Sequence, residues 1–302
     1  MFVVRNRKIF YIISAFFVGL SFLAITIWGL KLGIEFTGGT LIEVSYQVER
    51  PEKTAVEQAL SELPIGAYSV RPSGDAGYLL RTRDLTDAEQ TAVLSALSLG
   101  GQSELTVDRL SSIGPTIGSE LTRKALIAIV LVVLSIILYI AYTFRHVSKP
   151  VASWKYGLLA IVALVHDIAL PAGLFAVLGY FAGVEIDVLF VVALLTILGY
   201  SVNDTIVVFD RVRENLRENE RLNSKENFDV TVGKSLEQTY ERSINTSMTV
   251  LLVLLALYFL GGSATENFAL ALLAGVVAGA YSSVFLATPL LVTIAQREKK
   301  QL

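Results

Sequence analysis

The sequence predicts a polytopic α-helical membrane protein: six transmembrane helices with a small α+β ferredoxin-like extracytoplasmic domain between helices 1 and 2. Three observations predict it. Of 302 residues, 53% are hydrophobic and only 17% are charged, against about 25% charged in an ordinary soluble protein. Six apolar runs have about the length, ~20 residues, that a helix needs to cross a bilayer. Between the first and second runs, from Lys31 to about Lys124, the chain turns polar and its apolar residues alternate.

The same numbers exclude other classes. A net charge of −2 gives no electrostatic footprint for nucleic acid. The absence of cysteine removes disulfides, thiolate metal sites and cysteine nucleophiles. His146 and His166 are the two histidines, too few to build a metal centre. Neither a metal nor a cofactor is expected.

The six runs are roughly Ile9–Leu30, Ala125–Thr143, Tyr156–Phe181, Asp187–Phe209, Ser243–Leu260 and Phe268–Ile294. In lipid every backbone polar group must be satisfied within its own segment or in a closed barrel, and these runs are too long for barrel strands, so they are helices. Pro171 and Pro289 each remove a backbone donor, and a kink is expected at both. The first run follows Arg5, Arg7 and Lys8, as a secretory signal would. It exceeds the ~7–15-residue core of such a signal and no small-x-small cleavage site follows, so it reads as a retained anchor.

Sidedness follows from Lys and Arg near the spans. Four shorter segments carry them: the N-terminus (Arg5, Arg7, Lys8), the second–third loop (Arg145, Lys149, Lys155), the fourth–fifth loop (Arg211, Arg213, Arg217, Arg221, Lys225, Lys234) and the C-terminus (Arg297, Lys299, Lys300). The long first–second loop has nine of its own, but loops of that length escape the charge rule. The turns Ala182–Ile186 and Gly261–Asn267 have none. Both termini are therefore expected in the cytoplasm and the first loop outside. The expected division is residues 1–32 for the N-terminus and first helix, 33–122 for the outer domain and 123–302 for the remaining helices.

Within the outer segment, Thr40–Val48 alternates as a half-buried strand does. Pro51 stands near a helix start, and Ala55, Val56, Ala59, Leu60 and Leu63 fall on one helical stripe. Ala67–Arg71 and Gly77–Arg83 read as strands joined at Pro72-Ser73-Gly74-Asp75. Thr86–Leu97 is a helix, with Thr86 and Glu89 spaced as a capping box, and Ser103–Leu110 is a last strand. The order β-α-β-β-α-β is the split βαβ arrangement. No nucleophile–base pair stands in it. Gly38-Gly39 lacks the spacing of a phosphate loop and precedes a strand, so it reads as a tight turn.

The acids well inside the spans are Asp167 and Asp204. Each costs about 2.5–3.5 kcal/mol on insertion scales, which marks it as functional by default. Asp204 lies in LGYSVNDTIVVFDRVREN, about 7.5 Å of helix before Phe209, in the inner half of the bilayer. Tyr200 and Ser201 share its face and Asn203 and Thr205 flank it. On the fifth run Arg242, Asn245, Thr246 and Thr249 form one polar face. An Asp204–Arg242 pair would offset part of the desolvation cost of each charge. Arg242 has a second reading, snorkelling to the surface, and the serines and threonines a second reading as helix-packing groups, Ser247 above all. Asp167, next to His166, is either functional or held structurally by His166 or a backbone group. An aspartyl protease dyad is disfavoured: the contexts are LVHDI and SVNDT, not GxGD.

The segments GIEFTGGT, IGPTIGSEL, VHD, GYSVNDTIVVFDRVREN and RSINTS together resemble the SecF family, the smaller subunit of the bacterial SecDF protein-export complex in the RND superfamily. The resemblance runs from about Gly33 to Pro289, with Glu35 where the family more often has Asp. It implies an RND-type half in the bacterial plasma (inner) membrane that uses the proton or sodium motive force to promote late steps of translocation. It implies SecD, the SecYEG translocon, SecA, YajC, YidC, the translocating preprotein and membrane lipid as partners. It maps an ion path onto Asp204 and Arg242 and implies no covalent chemistry; Asn203, Thr205, Asn245, Thr246, His166 and Asp167, from their positions on the same spans, are the expected supporting polar residues. The alternatives are a half-unit of another RND-type exporter and a purely structural translocon subunit.

Overall fold

A computed structural model describes residues 2–144, 151–224 and 226–299. Arg145, His146, Lys149, Lys225 and Lys300, used above, lie outside the described residues. The chain divides into two compact units, one of Met1–Lys31 with Ile127–Leu302 and the other Leu32–Leu126.

In the first unit the short helix α1 (Phe2–Arg5) leads into α2 (Arg7–Trp28). The long helices α6 (Pro115–Thr143), α7 (Ser153–Phe181), α8 (Val188–Arg221), α9 (Phe228–Leu260) and α10 (Ser263–Ser282) come after the second unit's elements in the chain. A π-helical turn, Ser283–Ala287, joins α10 to α11 (Thr288–Lys299). Among the described residues, six helical segments are long and apolar enough to cross a membrane. α7 buries 56% of its apolar window and α6 only 6%, so α7 is central and α6 peripheral in this unit. Phe144 stacks on Tyr156 at 5.2 Å, and Phe209 meets the Tyr156 ring edge-on at 5.3 Å, joining the end of α6 and the start of α7 to the middle of α8.

The two prolines behave differently. Pro171 stands inside an uninterrupted α7. The disturbance expected at Pro289 takes the form of the π turn directly before it. A π turn absorbs the missing hydrogen bond by widening the helix, and Thr288 Oγ1 donates to the Ser283 carbonyl at 2.7 Å.

The second unit opens with the short helix α3 (Ile34–Thr37) and continues β1 (Gly39–Tyr46), α4 (Lys53–Ser61), β2 (Ser69–Ser73), β3 (Gly77–Thr82), α5 (Asp87–Leu97) and β4 (Leu105–Ile113). The strands form one antiparallel sheet in the order β2-β3-β1-β4, the ferredoxin-like arrangement. Ile42, Val44, Tyr46, Tyr78 and Leu80 alternate onto its buried face and pack with Val56 and Leu60 of α4 and Val93 and Leu97 of α5. The capping box is formed: Glu89 N donates to Thr86 Oγ1 and Thr86 N to Glu89 Oε2. Pro72 sits in β2, an edge strand, where its missing N–H costs nothing.

The glycine pair makes a close crossing. Gly39 has φ +128°, and a Cβ there would stand 2.6 Å from the Thr82 carbonyl oxygen; at Gly38, φ +74°, it would stand 2.9 Å from Pro115 Cα. No other residue fits such a path without strain.

Candidate functional site in the helical unit

α8 turns two polar ridges toward its neighbours. Tyr200 and Asp204, one turn apart, face α9, where Ser243 Oγ donates to Asp204 Oδ1 at 2.9 Å and Tyr200 Oη donates to Ser247 Oγ at 3.2 Å. Asp204 is 7% exposed, and its Oδ2 is buried without a hydrogen-bond partner among the described residues. A buried carboxylate oxygen without a protein partner is costly, and a cationic side chain beside it would offset that cost.

Arg242 is not that group within this chain. Among the described residues no ion pair joins it to Asp204; it acts only as a nearby positive charge and is itself exposed. The cause is helical phase. Thr239, Ser243 and Ser247 recur every fourth residue along the buried stripe of α9, while Arg242, Asn245 and Thr246 fall on an exposed one. Asn203 of α8 is exposed as well. The helical unit thus carries an exposed polar stripe within the length of α9 that has membrane-spanning character.

The other ridge of α8, Ile197, Ser201 and Thr205, meets α10. Thr205 Oγ1 lies 2.9 Å from Ser283 Oγ. Ser201 Oγ donates to Asp167 Oδ2, and Ser282 Oγ donates to the same oxygen at 2.8 Å. His166 Nδ1 lies 2.8 Å from Asp167 Oδ1, and its ring stacks on Tyr281 at 5.7 Å. Asp167 is fully buried. Of the residues singled out in the sequence, the structure gathers His166, Asp167 and Ser201 into one cluster. Asp204 belongs to a separate contact one turn further along α8.

Sequence reasoning missed Ser243, Ser282 and Ser283 and set Ser247 aside as packing. Serine is common and small, and nothing in its identity says which side of a helix it serves. One signal was present: Thr239, Ser243 and Ser247 hold strict fourth-residue spacing beside the stripe that contains the arginine.

Comparison with known proteins adds a family frame. Residues 94–297 match the family model described as "Protein export membrane protein SecD/SecF, C-terminal", and residues 24–48, which contain the glycine pair, match "SecD/SecF GG Motif". The chain is 41% identical to the "Protein translocase subunit SecF" of Thermobaculum terrenum, over 96% of this chain and 93% of that one. It is 36% identical to the protein of the same name from Vibrio alginolyticus, over 95% and 87%. The fold is similar to that of the crystal structure of SecDF, a translocon-associated membrane protein from Thermus thermophilus. The TM-score is 0.81 at 31% identity, and the match covers 96% of this chain and 38% of that longer one.

Proposed function

The chain belongs to the SecD/SecF family of protein-export membrane proteins, and on that premise we propose that it serves as the SecF subunit beside a SecD partner. In this reading the pair draws on the proton or sodium motive force to promote late steps of translocation through SecYEG, after SecA-driven export. The observation that carries the reading is the unpaired, buried Oδ2 of Asp204.

The physical argument runs from that atom. An intramembrane carboxylate with one oxygen unsatisfied takes up a proton or a cation readily, because either removes an uncompensated charge from a low-dielectric site. Arg242, exposed in this chain, needs an acidic or polar partner at the same depth, and a SecD helix is the proposed source. Loading and unloading of Asp204 then change the attraction between α8 and the α9 arginine. One charge crossing the membrane releases about 2.3 kcal/mol per 100 mV, enough to bias a two-state arrangement tens-fold per ion. The motion is proposed to reach the ferredoxin-like domain, set outside the membrane, with both termini in the cytoplasm.

Export in membrane vesicles holding this chain, SecD and SecYEG tests the reading. After SecA has started translocation, an imposed proton or sodium gradient is expected to complete it; an equal rate with and without either gradient contradicts the proposal. Because the chain lacks cysteine, single cysteines test the sidedness: Asn6 and Asn223 are expected to react from inside, Ser73 and Gly183 from outside.

A further inference from the structure

We propose that Asp167 is a positioning residue for Asp204, not a second carrier of the ion; the proposal rests on the reading of Asp204 as the ion-path carboxylate.

The two acids differ in what surrounds them. Asp204 has one oxygen bonded and one buried with no partner among the described residues. Asp167 has both engaged: Oδ1 with His166, and Oδ2 with two hydroxyls, from α8 and α10. One atom of Asp167 therefore ties α7, α8 and α10 together, and neither of its oxygens is without a hydrogen-bond partner. Its partners, two hydroxyls and an imidazole nitrogen, are those that hold a carboxyl group in place.

The tie sits where it fixes the aim of Asp204. Ser201 precedes Asp204 by one helical turn on the adjoining ridge. Thr205 follows it and is gripped by Ser283, the residue after Ser282. Below these bonds α8 and α10 touch closely. A Cβ at Gly275 would overlap Ile197 at 2.1 Å, and one at Gly279 would stand 3.0 Å from Ser201 Cβ. Small residues one turn apart let membrane helices approach in this way. Ile197, Ser201 and Thr205 thus form a fixed edge along α8. With that edge held, rotation of the helix about its axis is blocked, and Tyr200 and Asp204 are directed at Ser247 and Ser243 of α9. The π turn, at Ser283–Ala287, begins where this edge ends, and such turns recur at functional sites.

Positioning and ion carrying predict opposite outcomes for one substitution. An amide at position 167 keeps an acceptor oxygen for both serines. Its NH2 can donate to His166 Nδ1 once the imidazole carries its hydrogen on Nε2. Asp167→Asn therefore preserves every contact while removing any capacity to cycle with an ion. Asp167→Ala removes all of them, and Ser201→Ala with Ser282→Ala removes the two hydroxyl ties at little cost in volume.

The test uses membranes holding equal amounts of each variant with SecD and SecYEG. For Asp167→Asn, gradient-stimulated export is expected to stay within about twofold of the wild type, while Asp167→Ala and the double serine variant lose about tenfold or more, as a misplaced group does. A second arm places a lone cysteine by Asp204→Cys and follows its alkylation by a membrane-permeant maleimide. The rate is expected to change when the two serine substitutions are added and to hold when Asp167→Asn is added. This arm does not require Asp204 to carry an ion, so it fails only if the positioning is wrong, whereas failure of the ion-path reading shows in Asp204→Asn. Loss of stimulation in Asp167→Asn equal to that in Asp167→Ala would overturn the proposal by making Asp167 an ion carrier. An unchanged export rate and an unchanged alkylation rate in the serine variants would overturn it by reducing the cluster to packing.

Discussion

Ser243 Oγ donates to Asp204 Oδ1 at 2.9 Å, and the other oxygen of that carboxylate has no hydrogen-bond partner among the described residues. The serine stands beside Arg242 in the chain, yet the two side chains serve different faces of α9: one holds the acid within the subunit, the other is exposed. Ser243 therefore fixes one oxygen of the acid to α9 and leaves its charge uncompensated by a basic side chain of the described residues.

Ser243→Ala removes that anchor and leaves a second carboxylate oxygen unsatisfied. The expected cost is about 1–3 kcal/mol, seen as lowered thermal stability of the chain in membranes or detergent and as weakened gradient stimulation. Arg242→Ala is expected to abolish the stimulation with less effect on the isolated chain, because Arg242 is exposed there. Arg242→Lys restores it only in part, since an ammonium lacks the planar fork of the guanidinium. Comparing stability and stimulation side by side for the two positions checks the division of labour.

The helices, the β-α-β-β-α-β order and the capping box were legible in the sequence because periodicity and spacing encode them directly. Val56 and Leu60 fell on the predicted stripe, and Thr86 met Glu89 as its spacing foretold. Asp204 drew attention in the sequence because an acid inside an apolar run is costly, and the structure buries it at 7% exposure. The phase of α9 was not legible. Two polar stripes lie side by side on it, and the residue with the larger charge, Arg242, drew attention from Ser243, which makes the bond. The role of Ser282 and Ser283 was hidden for another reason: the π turn shifts the helical register just there, so fixed spacing from Pro289 does not lead to them. The short helix Ile34–Thr37 was missed because four residues carry too little periodicity to read.

The glycine pair gives a prediction for the ferredoxin-like domain produced alone as residues 32–122. Gly39→Ala places a Cβ 2.6 Å from the Thr82 carbonyl at a φ of +128°, and is expected to destabilise the domain by about 1–3 kcal/mol. Gly74→Ala also falls at positive φ, +55°, but meets nothing within 4 Å, so the cost is about 1 kcal/mol from the left-handed conformation alone. Denaturant midpoints of the two variants should fall in that order.

The same domain has a titrating cap. The Arg83 guanidinium, bonded to Glu89, and the Thr86 backbone N–H hold the Glu89 carboxyl down to about 2. A carboxylate whose folded value is lowered stabilises the fold above its unfolded value, and that contribution is lost as pH falls through the folded value. Between its ordinary value of 4.5 and about 2, the domain should lose stability that Glu89→Gln never had. Unfolding curves across that range should converge at the acid end. The pair is solvent-exposed, so the separation at neutral pH is expected to be small.

The central claim is that Asp204 couples the ion gradient to export, and Asp204→Asn tests it most directly. The amide keeps the size of the side chain and an acceptor for Ser243 but cannot cycle between charged and neutral. In membranes holding equal amounts of wild type and variant with SecD, the variant is predicted to insert and assemble normally, and to export at the same rate with and without a proton or sodium gradient. A variant that responds to the gradient as the wild type does would show that Asp204 is not the coupling group.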